Sequence, residues 1–243
     1  MSEETETPDR PPLPDWLNAA RKRGLLGHLP EQLIAAVIRG GQRATYPAGA
    51  LVPEWEARPW AAFVLSGSLR VFVPAPDGGQ ITVRYLRPGD MIGTFTGTES
   101  GLARSLQPLE PVELLHLDIT RLTALAQTEC RLTYEMLLEM MRSLRLAHRY
   151  YAIRTFGSVR LRVANAILER AVAGGTIAPG LLIAGTQHEL AAAAGTVREV
   201  VAAALQGLKR DGVVAIRRGG VVILDPDRLR KEADAGLGFG PPD

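Results

Sequence analysis

The side chains best suited to recognition chemistry lie in the last third of the chain, where Arg198 and Glu199 stand side by side ahead of an apolar-periodic stretch ending near Arg210. An arginine fork can donate two hydrogen bonds to O6 and N7 of guanine, and a carboxylate can accept from N4 of cytosine. Farther on, Arg217 and Arg218 are suited to phosphate oxygens, which position a protein on a duplex without reading its sequence. Such chemistry is useful only if the paired residues are held on one exposed face and the arginines beside it.

The surrounding residues specify elements that could do this. Thr186-Gln187-His188-Glu189 is a Thr-x-x-Glu capping box opening a helix over Leu190 to Ala194, and Gly195 ends it. Thr196-Val197-Arg198-Glu199 repeats the box ten residues later and predicts a second helix over 197–210. Advancing about 100° per residue puts Val197, Val200, Val201, Ala204, Leu205 and Leu208 on one side. Arg198, Glu199, Ala202, Ala203, Gln206, Lys209 and Arg210 fall on the other. The first set can pack on the preceding helix while the second enters a major groove. Val213 to Leu224, broken at Gly219-Gly220, reads as two strands forming a wing. The whole predicts a winged helix-turn-helix over 157–231, with Thr186, Gln187, Thr196, Arg217 and Arg218 facing the DNA backbone.

The basic residues are concentrated in that region: 158–231 carry 11 Lys and Arg against 6 Asp and Glu, whereas 1–157 are balanced at 17 each. Ahead of it, Tyr46 to Leu117 is built of short extended runs such as Ile81-Thr82-Val83-Arg84-Tyr85, with turns at Pro76-Asp77-Gly78-Gly79 and Arg87-Pro88-Gly89-Asp90. An antiparallel β-roll over 21–118 is predicted. From Ile119 the period becomes helical, and one long helix over 119–156 follows. Within it Leu137, Met140, Leu144, Ala147 and Tyr151 keep the 3, 4 spacing of a two-stranded seam, flanked by Arg142, Arg145 and Arg149. The acidic, Pro-rich start and the Gly-rich end predict a flexible segment over 1–20 and a tail over 232–243.

With 243 residues, 46% hydrophobic and 22% charged, the chain has material for more than one core. No apolar run reaches the roughly 18 to 20 residues of a membrane-spanning helix, and a cytoplasmic location is expected. The single Cys130 excludes an internal disulfide and cysteine-only metal or iron-sulfur sites, and is read as a small packing residue. His28, His116, His148 and His188 are scattered, which argues against haem or metal; they are read as surface or helix-packing residues. No nucleophile-base pair or phosphate loop is present, so no enzyme is expected.

Thr186-Gln187-His188-Glu189-Leu190-Ala191, Gly195-Thr196-Val197-Arg198-Glu199-Val200-Val201, then Leu205, Leu208 and Asp211-Gly212-Val213-Val214 together resemble the DNA-binding signature of the CRP/FNR family of bacterial transcription regulators. Pro88-Gly89-Asp90-Met91-Ile92-Gly93 resembles the turn of that family's effector-binding β-roll. The resemblance covers about 43–230. It implies an α+β fold, with a jelly-roll-like effector domain, a dimerisation helix and a C-terminal winged helix-turn-helix. It further implies a homodimer reading a palindrome of double-stranded DNA, with RNA polymerase as a partner.

Two positions depart from the family pattern. Where a further base-facing arginine is found, this chain has Ala203, which can touch a thymine methyl but cannot donate to guanine. Members that bind cyclic AMP resemble Gly-Glu-Leu followed by Arg-Ser, whereas this chain has Gly93-Thr94-Phe95 and Arg104-Ser105, and Ala147-His148 where the adenine is received. Gly93, Thr94, Arg104, Ser105 and His148 are therefore the candidate effector pocket. High-affinity cyclic AMP binding is not expected, because Thr94 supplies no carboxylate. No resident cofactor is implied, only a small-molecule effector. The competing reading is a ligand-binding regulatory module whose C-terminal domain contacts a protein through the smooth surface at Ala202 and Ala203.

Overall fold

A computed structural model describes residues 13–52, 59–74, 80–94, 105–175 and 177–234. The Pro76-Asp77-Gly78-Gly79 turn, Phe95 and Arg104 lie outside them.

Among the described residues, seven strands of the roll form two antiparallel sheets. β1 (Gln42–Tyr46), β7 (Val112–His116), β2 (Trp60–Ser66) and β5 (Met91–Thr94) make one, in that spatial order; β4 (Gln80–Leu86), β3 (Leu69–Pro74) and β6 (Ser105–Pro108) make the other. β2 shows why a nearly continuous apolar run can be a strand. Its side chains alternate, so Ala61, Phe63 and Leu65 enter one core while Ala62 and Val64 enter another, between the sheets. The first core is closed by short helical elements before and after the roll. These are 3-10 turns at Asp15–Leu17 and Ala20–Lys22, α1 (Gly24–His28), α2 (Glu31–Ile38) and α3 (Ile119–Thr128). Leu17 and Ala20 are fully buried, so the part of 1–20 from Asp15 onward is ordered rather than flexible. Periodicity over so short and Pro-flanked a stretch did not disclose this.

The single helix expected over 119–156 is two. α3 stops at Thr128, and α4 (Cys130–Phe156) begins after Glu129, whose φ −100°, ψ 88° is not helical. Thr128 Oγ1 donates to the carbonyls of Ala124 and Leu125, and the Thr133 hydroxyl bonds the Ala126 carbonyl. The Leu125 carbonyl also keeps its helical bond from Glu129 N–H at 2.8 Å, so the ladder of α3 runs up to the break. Cys130, at the break, is exposed rather than packed.

The C-terminal region has its own core. α5 (Val159–Ala173) crosses α6 (Gln187–Ala194), α7 (Arg198–Arg210) and α8 (Pro226–Asp234), beside a small sheet in the order β8 (Leu182–Ala184), β10 (Gly220–Ile223), β9 (Val214–Arg217). α8 runs to Asp234 and buries Ala233, which corrects the tail expected over 232–243: residues 232–234 belong to the domain. No helix among the described residues is long and apolar enough to cross a membrane.

Candidate nucleic-acid interface

The two helices expected from the capping boxes are present, but only the first box is made. In α6, Glu189 N–H donates to Thr186 Oγ1 at 3.1 Å, and Thr186 N–H donates to Glu189 Oε2 at 2.9 Å. Gly195 takes the left-handed conformation, φ 62°, that lets the chain reverse. A side chain there would also come within about 3.0 Å of the Arg154 guanidinium. The second box does not form: α7 starts at Arg198 with Val197 as its cap and no side-chain bond there. The physical reason is the turn itself. Thr196 N–H is spent on the Ala191 carbonyl, closing α6, so the next helix begins one residue later than the spacing suggests.

α7 is strongly amphipathic. Val201, Leu205 and Leu208 are fully buried against α5 and α6, with Ala204 partly buried. Val200 is half-buried, and Val197, expected inside, is exposed because the cap lies outside the packed turn. Arg198, Glu199, Ala203, Gln206, Lys209 and Arg210 are exposed and Ala202 half-buried. The wing is a two-strand hairpin: Arg217 pairs with Gly220 across a turn at Arg218 and Gly219, and both arginines are exposed. Thr186 is exposed beside half-buried Gln187 and Thr196. The residues expected at bases and phosphates therefore share one winged unit, and all but half-buried Gln187 and Thr196 lie open to solvent.

Three buttresses were not legible in the sequence. Arg160 of α5 binds Glu232 of α8 through Nε (2.7 Å) and Nη2 (2.6 Å), and Asp211, at the end of α7, through Nη1 (2.7 Å). These bonds push the Arg160 guanidinium pKa up and hold the Glu232 carboxyl below its usual range. Arg154, lying over the Tyr150 ring, donates from Nη2 to the carbonyls of Ala192 (3.3 Å) and Ala193 (3.1 Å) at the end of α6. The Tyr150 hydroxyl bonds the Thr82 carbonyl in β4 and lies 3.0 Å from that of Ala193, and burial pushes its pKa well up. Arg162 Nη1 donates to the Gly195 carbonyl at 3.0 Å. All are long-range contacts to backbone or to distant acids, with no signature at fixed spacing.

Arg104 lies outside the described residues, and the other candidate effector residues sit on three elements, β5, β6 and α4. Gly93, in β5, lies against β2, where a Cβ would collide with the Trp60 carbonyl. Ser105 belongs to β6 in the other sheet. His148 lies on α4 and lines a cavity to which neither contributes. His116, read as a surface or helix-packing residue, is instead a half-buried strand residue. Its Nδ1 accepts from Trp60 Nε1 (2.8 Å), which leaves Nε2 to donate to the Tyr46 hydroxyl (2.9 Å). Among the described residues no group of three or more His, Cys, Asp or Glu could hold a metal.

The family model described as a Crp-like helix-turn-helix domain matches residues 161–232, from α5 into α8. The chain is 30% identical over 194 residues to the Cyclic AMP receptor protein of Thermus thermophilus, spanning 79% of this chain and 88% of that protein. It is 27% identical over 217 residues to the CRP-like cAMP-activated global transcriptional regulator of Mycobacterium tuberculosis, spanning 87% and 97%. Among solved structures, FixK2 from Bradyrhizobium japonicum is similar at TM-score 0.66 and 19% identity, covering 81% of this chain and 99% of that one. The c-di-GMP responsive regulator CLP of Xanthomonas campestris is similar at TM-score 0.68 and 22% identity, covering 81% and 100%. A winged helix-turn-helix behind an antiparallel β-roll is the architecture this chain shares with those structures. The chain belongs to the CRP/FNR family of transcription regulators.

Proposed function

We propose that this protein is a homodimeric, sequence-specific regulator that reads a palindromic DNA site, one half per chain, with α7. Arg198 and Glu199 read base edges and Ala203 meets a thymine methyl, while Thr186, Gln187, Thr196, Arg217 and Arg218 hold the backbone. The observation that carries this reading is the exposed polar arc of α7, backed by buried Val201, Leu205 and Leu208 and flanked by an exposed basic wing. The division that fits it is a β-roll ending near Leu117, a helical connector over 119–156 and a winged domain from 157 into α8.

Dimerisation is supported by α4. Eight of the thirteen exposed large apolar side chains among the described residues lie on it, including Leu137, Met140, Leu144 and Tyr151 of the seam, with Ala147 half-buried between them. Arg149 does not flank that seam; it is buried against α5, where Nη2 donates to Asn165 Oδ1. RNA polymerase is the protein partner this class of regulator would meet. The relatives named for cyclic AMP and c-di-GMP make a small-molecule effector reasonable. Thr94, in the place of a carboxylate, argues against tight cyclic AMP binding.

A binding isotherm on sites selected from random DNA tests the proposal. Arg198→Ala is expected to cost about 1–3 kcal/mol on the selected site and to relax preference at one base pair. Arg217→Ala should weaken all sequences alike and flatten the salt slope. An Arg198→Ala protein that ranks every sequence as the parent does would remove α7 as the reader. A shallow salt dependence would favour a protein-binding C-terminal domain instead.

A further inference from the structure

Between α4, the turn after β4 and the 3-10 turn and α1 at 20–28 lies a cavity of about 870 Å³, large enough for a small metabolite. Among the described residues, seven Lys and Arg side chains and two histidines line it, against only Asp90 and Glu139. Those two carboxylates are already shared. Asp90 lies 3.1 Å from Arg23 and 3.8 Å from Arg84, and Glu139 lies 3.2 Å from Arg142 and 3.9 Å from Arg84. Two negative charges thus serve three arginines. Among the described residues Lys22, Arg145 and Arg149 form no ion pair.

Arg149 is the decisive group. It is more than nine-tenths buried, and although Nη2 is bonded to Asn165, its Nε and Nη1 have no hydrogen-bond partner. A buried guanidinium edge without an acceptor has lost its hydration with nothing in return. Glu169 faces it electrostatically, but burial pushes that carboxyl toward its neutral form, and no oxygen of it comes within ion-pair distance. Arg23 Nη1 is likewise buried and unpaired. Both residues line the cavity, and each carries a buried guanidinium nitrogen without an acceptor. No phenyl, phenol or indole ring lines the cavity among the described residues, so charge and donor geometry rather than base stacking would select the occupant.

We propose that this cavity is a binding site for a multiply phosphorylated small molecule, whose oxygens would accept from Arg149, Arg145 and Arg23. Phosphate oxygens suit guanidinium forks in both geometry and charge. The site is separate from the positions that resemble a cyclic-nucleotide pocket: Gly93 and Ser105 do not line it, and His148 alone belongs to both sets. Because Arg149 also holds Asn165 of α5, the bound anion would rest against the first helix of the winged domain.

Inorganic tripolyphosphate titrated calorimetrically into the full chain, at low ionic strength and without DNA, tests this. The expected result is saturable binding, one per chain, weakened at least tenfold by Arg149→Gln and by Arg145→Ala. Should Arg149→Gln fail to fold, Arg145→Ala combined with His148→Ala, both at exposed positions, carries the comparison. No saturable binding would overturn the proposal. So would binding that survives the cavity substitutions and is lost instead in Arg217→Ala, which would assign the anion to the wing.

Discussion

α4 and α7 are built in opposite senses. α7 turns Val201, Leu205 and Leu208 inward and shows water Arg198, Glu199, Gln206, Lys209 and Arg210. α4 buries Leu132 and Ile153 near its ends but also Glu135, Glu139 and Arg149 against its own chain, and shows water Leu137, Met140, Leu144 and Tyr151. Its buried charges are supported by ion pairs and hydrogen bonds, Glu135 by Arg131, Glu139 by Arg142 and Arg84, and Arg149 by Asn165. The contrast separates a helix complete within one chain from one that is not. α7 needs no partner to be folded, and its outer face is free to recognise one. α4 leaves a contiguous apolar stripe uncovered, which soluble monomers rarely do, and a second copy of itself is the proposed cover.

Breaking the α4 side of this comparison should have the largest effect. Leu144→Glu places like charges opposite each other in a symmetric seam. It is expected to weaken self-association at least a hundredfold in sedimentation equilibrium, and DNA affinity with it. A monomeric parent protein would sink the contrast at once. On the α7 side, Leu205→Ala should cost about 2–5 kcal/mol in the unfolding of the winged region, through lost contacts and an unfilled cavity, while leaving self-association unchanged.

Smaller effects sharpen the account of how α7 is held. Arg160→Ala should cost about 1 kcal/mol, since the bidentate pair is partly exposed and screened. Glu232 is held below its usual pKa by Arg160, so its stabilisation is full above the unfolded carboxylate range and lost as pH falls through the depressed value. The gap between parent and Arg160→Ala, read by thermal melts across pH, should therefore close in acid. Glu169→Gln should run the other way. Burial raises that carboxyl's pKa, so the parent loses stability as pH rises above the ordinary carboxylate range. The variant should melt higher at neutral pH and match the parent near pH 4.

The sequence by itself determined the elements whose causes are local. The Thr186–Glu189 box, the helix end at Gly195 and the 3.6-residue rhythm of Val201, Leu205 and Leu208 are written within a few positions of one another, and each formed as expected. A start one residue late for α7, the break at Glu129 and the burial of Leu17 and Ala20 escaped that reading, because each depends on which group wins a backbone hydrogen bond or a place in a distant core. Only the tertiary structure decided where the arginines go. Arg160 reaches acids 51 and 72 positions away, Arg154 grips the end of α6, and Arg149, spaced like a flanking residue, is buried under α5. A long charged side chain has no periodic constraint of its own, so its partner is set by the fold that brings an acceptor within reach.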